Sequence, residues 1–397
     1  MNEAKHYRTL ILGGYGGMGQ ALLLLGAPFI ASFDRVLVLE REQVEPAVPV
    51  DALFLRGDIE DVSFLSEVLH KNGGPSLLVN LCSSTDTYRI RKVVSHYGGA
   101  YLDTSCSVIR GVDEHRYSRL MPHTFRPTMN RAPHFTCCGV NPGVVEIIAR
   151  KIIRDTFPKA RRFDILFFEN DQFHVPLDGG RVGVSWSAET LVDEVMLTPT
   201  FYIKEGRPVE LDSPPTLTVG TRWGDRHHDA RLVGHEEIWN LQRVEKILVD
   251  NSFFSYAFHD AVTNVLQGDA NRAHGSLMRP GDAIPVSGTD TLAVRVVEKS
   301  SGNQRTLVWT TDHAAMWRRW GINGVQFQVA SSLLFFLDLL LRSGDWSTGR
   351  LWCGSDMPLE RFGWDVVDGL LDTYGIEWKE ANGLDLCVEE GPFAGDG

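Results

Sequence analysis

Over the first 143 positions, short apolar runs alternate with longer stretches whose apolar residues recur at helical spacing. The runs at 8–12, 34–40, 52–55, 76–81, 100–103 and 134–140 predict six β-strands with helices between them. Such alternation predicts an α/β domain over 1–143, a doubly wound parallel sheet of Rossmann type. After a helix expected at 144–156 the pattern changes. Strand-like pieces at 163–168, 201–204, 216–219, 292–298 and 306–311 are separated by turn-rich stretches. They predict a second, α+β domain over 144–330, built on a mostly antiparallel sheet. Residues 324–341 are apolar nearly all round, the pattern of a buried helix. This helix and the rest of 331–397 are expected to pack back on the first domain, a dimer contact being the helix's other option, with the glycine-rich tail from Glu389 frayed.

The first strand runs into Leu12-Gly-Gly-Tyr-Gly-Gly-Met-Gly19, where Gly14, Gly16 and Gly19 make G-x-G-x-x-G between a strand and a helix. In that context each glycine has a job. Gly14 allows the tight turn, Gly16 lets backbone approach a pyrophosphate, and Gly19 lets helix and strand pack closely. Gly17 and Met18 open the helix, whose free N–H groups face the anion. The second strand ends in Glu40, 21 residues beyond Gly19, where a carboxylate accepts from ribose hydroxyls and favours NAD. Arg41 follows directly and leaves NADP open through pairing with a 2′-phosphate. Strand ends at Asp58, at Cys82 and Ser83 up to Thr85, and at 104–107 form the expected cofactor rim. Asn141 and Pro142 follow the sixth strand.

Composition narrows the classes. Thirty-nine basic against 51 acidic residues give a net charge of −12, which repels nucleic acid and anionic lipid. The apolar runs are read as too short to span a bilayer, and the N-terminus lacks a leader pattern, so a soluble cytoplasmic protein is expected. Cys82, Cys106, Cys137, Cys138, Cys353 and Cys387 show no paired spacing and read as reduced core thiols. Cys82 has no basic sequence neighbour to activate it. No metal is expected: His227 and His228 are adjacent, face different ways, and lack a further spaced ligand.

Five residues stand out as candidate chemistry. Trp186, with Glu194 eight positions on, offers an aromatic face and a counter-charge for an ammonium group; a core tryptophan and a solvated acid are the plainer reading. His235, before two acids, is a candidate acid/base or substrate-orienting group or else a surface residue. Asp290 is a candidate acid or a turn former. Asn141 can bond a nicotinamide or substrate, or simply shape a turn.

The motifs as an ordered set resemble the saccharopine dehydrogenase-like superfamily and, within it, the bacterial homospermidine synthase branch. The resemblance runs through Ile11 to Gly19, Val79-Asn-Leu81, Tyr101-Leu-Asp-Thr104, Gly139-Val-Asn-Pro-Gly143, Ser185-Trp-Ser187 with Glu194, Gly234-His-Glu-Glu237, Ser255-Tyr-Ala257 with Asp260-Ala-Val262, and 288–294. It implies an NAD(P)-dependent enzyme that moves hydride at a C–N bond through an imine, and a second domain that supports a homodimer. In that branch NAD oxidises putrescine, the imine passes to a second amine, and the hydride returns. Trp186 then looks like the cation-stabilising tryptophan, Glu194 like the amine-binding carboxylate, and His235, Asp290 and Asn141 like cavity residues. Two family carboxylates fall on Ser84 and Ser107 here, which implies a different amine or an amino acid. The alternatives are a reductase joining an amino acid to an aldehyde, marked by a carboxylate-binding arginine among Arg181, Arg222 and Arg231, and an NAD(P)-binding protein without catalysis.

Overall fold

The structure, a computed structural model, describes residues 7–45, 50–83, 85–105, 116–128, 132–175, 181–211, 218–223, 226–244, 246–278, 286–342, 346 and 350–381. The chain forms two compact units. The first joins Met1–Glu114, Ser118–Val144 and Gln328–Ile376, and the second joins His115–Tyr117, Val145–Phe327 and Glu377–Gly397.

The first unit is built on β1 (Thr9–Gly13), β2 (Arg35–Glu40), β3 (Leu53–Arg56), β4 (Ser76–Asn80), β5 (Ala100–Asp103) and β6 (His134–Phe135), with a seventh strand at Leu351–Trp352. All pairings are parallel, and the order across the sheet is β3-β2-β1-β4-β5-β6 and then Leu351–Trp352. The order reverses between β1 and β4, so the expected Rossmann sheet and its ligand-binding crevice are present. Ile11, Leu37, Leu78 and Tyr101 pack with Leu65 and Val94 from the helices in one buried cluster. Those helices, Val62–Lys71 and Thr87–His96, start where Asp61 and Asp86 accept from backbone N–H groups of the first turn.

Two differences from the sequence pattern have physical causes. β6 stops at Phe135 because Cys137 turns to a φ of 55° and gives its N–H to Asp103 Oδ1, while Cys138 N bonds the Asp103 carbonyl. The helix Gly324–Arg342 is 19 residues long with a hydropathy of 1.6, so by length and composition it could cross a membrane, contrary to the expectation. It is 78% buried inside the protein, as a core helix is. Phe335, Phe336 and Leu337 have no exposed surface.

In the second unit β7 (Arg162–Asp171) lies beside the strand Leu248–Phe258, parallel to it, and antiparallel to the strand Thr289–Glu298. Further antiparallel pairing adds Gln304–Asp312 and Lys379–Glu380 on one side, and Phe201–Lys204 with Arg207–Glu210 on the other. The ribbon of Thr218–Trp223 and Arg226–Val233 also joins Leu248–Phe258. The sheet is mostly antiparallel, as expected, around one parallel pair at its centre.

Candidate functional site

At the glycine turn, Gly14 has a φ of +101°, which a side chain would strain. A Cβ on Gly19 would sit 2.3 Å from the Gly14 carbonyl, so this position is closed by packing. Gly16 is different: a Cβ there would meet nothing within 4 Å, at an ordinary φ of −65°. The helix Gly17–Leu25 begins there with no side-chain cap on its free N–H groups. Glu40, at the end of β2, accepts from Tyr15 N at 2.9 Å and from Arg41 N at 2.8 Å. The loop and the acid are thus locked together. This geometry fits a dinucleotide: an open approach, unspent N–H groups and an acid at the neighbouring strand end.

The other rim residues are placed as follows. Asp58 Oδ1 caps the turn at Glu60 N. Cys82 follows β4, where burial, reinforced by Glu40, pushes its thiol up to about 12, so it is no thiolate. Ser83 is exposed, Asn141 is half-buried and Pro142 is buried, in the loop after β6 that closes as a bridge between Gly139 and Gly143. Ser84 and Ser107 lie outside the described residues.

In the second unit one face of the sheet carries acids. On β7, Glu169 and Asp171 alternate with Phe168 and Asn170, so both point to the same side. Tyr256 stands opposite Glu169, and Asp290 stands opposite Asp171. Asp290 is a buried strand residue, 1% exposed, which sets aside the turn-former reading.

Trp186 is tied to that face from both ends. Its Nε1 donates to Tyr256 Oη at 3.2 Å, and the preceding Ser185 donates to Asp171 Oδ2. Asp171 Oδ1 also accepts from His313 Nε2 at 3.2 Å and Phe173 N at 2.9 Å. His313 Nδ1 accepts from Gly324 N at 3.0 Å, which fixes its Nε2 as the proton-bearing nitrogen. Burial first, then Glu169, Asp171 and Asp290, hold the Tyr256 phenol well above its ordinary value. It stays a neutral donor, and its hydrogen bond goes to Glu169.

Glu194 lies in the π-helical turn Asp193–Leu197 that follows the helix Ala188–Val192. Some of its surface remains accessible, yet it sits deep among protein atoms. That desolvation, reinforced by Glu236, Glu169 and Glu237 against the pull of His235, pushes its carboxyl up to about 8. His235, before the helix Glu236–Asn240, lies with its ring tilted against that of Phe254, centroids 4.4 Å apart, and bonds Glu237 through Nδ1. Burial opposes its charge, but Glu237, Glu236 and Glu194 overcome that and raise it to about 10. It is an imidazolium at neutral pH and 5% exposed, so the surface reading fails. Ligand atoms of His235, Glu236 and Glu237 lie within 4.8 Å of one another, a grouping that could hold a metal ion only once the imidazolium gives up its proton.

Trp186, Glu194, His235 and Asp290 therefore converge in the second unit, while Asn141 belongs to the first. The sequence reading missed Glu169, Asp171, Tyr256 and His313. The available signal was a pair of alternating acids at the end of the apolar run Phe163 to Phe168.

No family model and no curated protein matches the sequence. Among solved structures, the chain is similar to apo saccharopine dehydrogenase (L-Glu forming) from Saccharomyces cerevisiae. The TM-score is 0.62 at 13% identity, over 94% of this chain and 99% of that one. Looser likenesses are to GenD2 of gentamicin A biosynthesis in complex with NAD (TM-score 0.39, 12% identity, 96% and 98% covered) and to dipicolinate-bound dihydrodipicolinate reductase from Paenisporosarcina sp. TG-14 (0.37, 12%, 90% and 99%). The first likeness shows the fold. The other two are too loose to bear on function.

Proposed function

We propose that this protein is an NAD-dependent oxidoreductase of the saccharopine dehydrogenase type that works at the C–N bond of an amine or amino acid. The observation that carries this reading is the buried acidic cluster edged by Trp186, in a chain whose glycine turn leaves Gly16 open. An ammonium group satisfies such a cluster: the indole face attracts it, and Glu194, Glu169 and Asp290 supply counter-charge. The glycine turn, the helix Gly17–Leu25 and Glu40 would hold the dinucleotide, with NAD favoured by the acid. Its nicotinamide supplies hydride exchange with a carbon next to nitrogen.

The proton work falls to this chain's own groups. An amine gives up hydride only after losing its extra proton, and Glu194, poised near 8, is matched to take it. His235 stays charged beside Glu237 and serves as donor and orienter rather than base. The saccharopine dehydrogenase fold supports this reading.

The test is nucleotide titration followed by incubation with NAD and a panel of diamines and amino acids. Saturable NAD binding and growth of the near-ultraviolet NADH absorbance are expected. Failure of both NAD and NADP to bind sinks the proposal. Binding without hydride exchange for any substrate, labelled or unlabelled, leaves a non-catalytic nucleotide-binding protein.

A further inference from the structure

We infer that His313 is a positioning residue: through Asp171, and together with Asn323, it clamps Ser185 and so fixes the indole of Trp186 as a wall of the amine site. The inference rests on the amine reading above and adds the residues that hold its recognition element in place.

Trp186 is only half-buried, so packing alone does not set the plane of its ring. Its backbone is held instead. The preceding Ser185, with no exposed surface, donates its hydroxyl to Asp171 Oδ2 and accepts from Asn323 Nδ2 at its carbonyl. Both holders are themselves fixed. Asn323 and Gln326 exchange bonds, each backbone N–H donating to the other's side-chain oxygen at 2.9 Å. With its Oδ1 spent as an acceptor, the Asn323 amide turns its NH2 group toward Ser185. Asp171 is gripped by His313 Nε2 at 3.2 Å and Phe173 N at 2.9 Å, both on Oδ1, which leaves Oδ2 to Ser185.

His313 has no exposed surface and no freedom to turn. Its backbone N–H donates to the Gly288 carbonyl at 3.0 Å, its Nδ1 accepts from Gly324 N at 3.0 Å, and the Phe173 ring stands edge-on with centroids 5.0 Å apart. A Cβ at Gly324 would come within 2.9 Å of Nδ1, so this glycine is what lets the chain reach the ring. Both ring nitrogens are spent on fixed partners, so the ring holds geometry rather than moving protons. Burying an aspartate, a histidine and an amide is costly unless their polar atoms are bonded, and a tryptophan serving only as core needs no such frame. A tryptophan that binds a cation does need one. The charge must sit over the ring face within about 6 Å of its centroid, and a misplacement of about 1 Å in a positioned group can cost about 100-fold.

The test is a double-mutant cycle on the full chain. Binding of cadaverine and of L-lysine is measured by calorimetry with NAD present, beside KM, kcat and NAD affinity. The proteins are the wild type, His313→Leu, His313→Gln, Trp186→Ala, and Trp186→Ala combined with His313→Leu. Trp186→Ala and His313→Leu should each weaken amine binding by about ten-fold or more, through KM rather than kcat and with NAD affinity unchanged. His313→Gln keeps an N–H for Asp171 and should recover most of the loss. The double variant should bind no worse than Trp186→Ala alone, because a clamp has nothing to position once the indole is gone. Should His313→Leu fail to fold by circular dichroism, Asn323→Ala takes its place in the same cycle. Losses that add in the double variant, or wild-type affinity in folded His313→Leu, overturn the clamp and leave the amine reading standing. Wild-type affinity in Trp186→Ala removes the indole from the amine site and the clamp with it. If no amine binds the wild type, both fall.

Discussion

At the level of single residues, the glycine turn separates space kept for a ligand from space filled by the fold. Gly16 and Gly19 read alike in sequence, yet a Cβ at Gly16 meets nothing while one at Gly19 strikes the Gly14 carbonyl at 2.3 Å. Gly16→Val should therefore leave the melting temperature within a few degrees of wild type and weaken NAD binding by about 100-fold, read by titration. Gly19→Ala should instead cost about 1–3 kcal/mol of stability, read by urea unfolding, because backbone must move. Loss of stability in Gly16→Val with nucleotide affinity intact would reverse the assignment. These roles were legible because the motif is local, its spacing set by one turn and one helix. Glu169, Tyr256 and Asp290 were harder, since they lie far apart in sequence and meet only through strand register. His235 was legible as a candidate beside two acids, but not its charge, because neither its burial nor the turn that brings Glu237 onto its Nδ1 is written in the spacing.

Among the elements, the edge of the first sheet shows how a buried acid ends a strand. The apolar run to Val140 predicted a longer β6, but Asp103 at the end of β5 takes the Thr136 hydroxyl at 2.6 Å and the Cys137 N–H at 3.1 Å. Nothing in the run itself announces that bond. Likewise Leu351–Trp352 joins this sheet only through pairing with β6, across more than 200 residues of chain. Burial raises the Asp103 carboxyl from 3.8 to about 7, against the opposing pull of Thr136, Tyr101, Arg91 and Cys137. Because the folded value lies above the unfolded one, the protonated acid stabilises the fold fully below about pH 4. That contribution is lost as pH rises to about 7 and then levels off. Asp103→Asn mimics the protonated form and should remove this slope. In urea unfolding between pH 4.5 and 8, the variant should gain a few kcal/mol relative to wild type as pH rises to 7. A pH-independent difference would show that Asp103 does not titrate in this window.

For the molecule as a whole, the charge balance would make the proposed amine binding a proton-exchange event. A net charge of −12 draws cations toward the chain, but the local balance in the cluster decides whether one stays. With its carboxyl near 8, Glu194 is about nine-tenths protonated at pH 7. An ammonium placed between Trp186 and Glu194 favours the carboxylate and expels that proton, so apparent affinity should rise with pH from about 6 to 8. Calorimetry of L-lysine or cadaverine at pH 7, repeated in buffers of different ionisation enthalpy, should report close to one proton released per molecule bound. The number should fall toward zero by pH 9, where Glu194 is already ionised. Glu194→Gln should abolish the release and weaken binding by about 10- to 100-fold, because a neutral amide supplies no counter-charge. A binding heat independent of buffer would mean that amine binding leaves the protonation of Glu194 unchanged, and the proton-exchange account would fail.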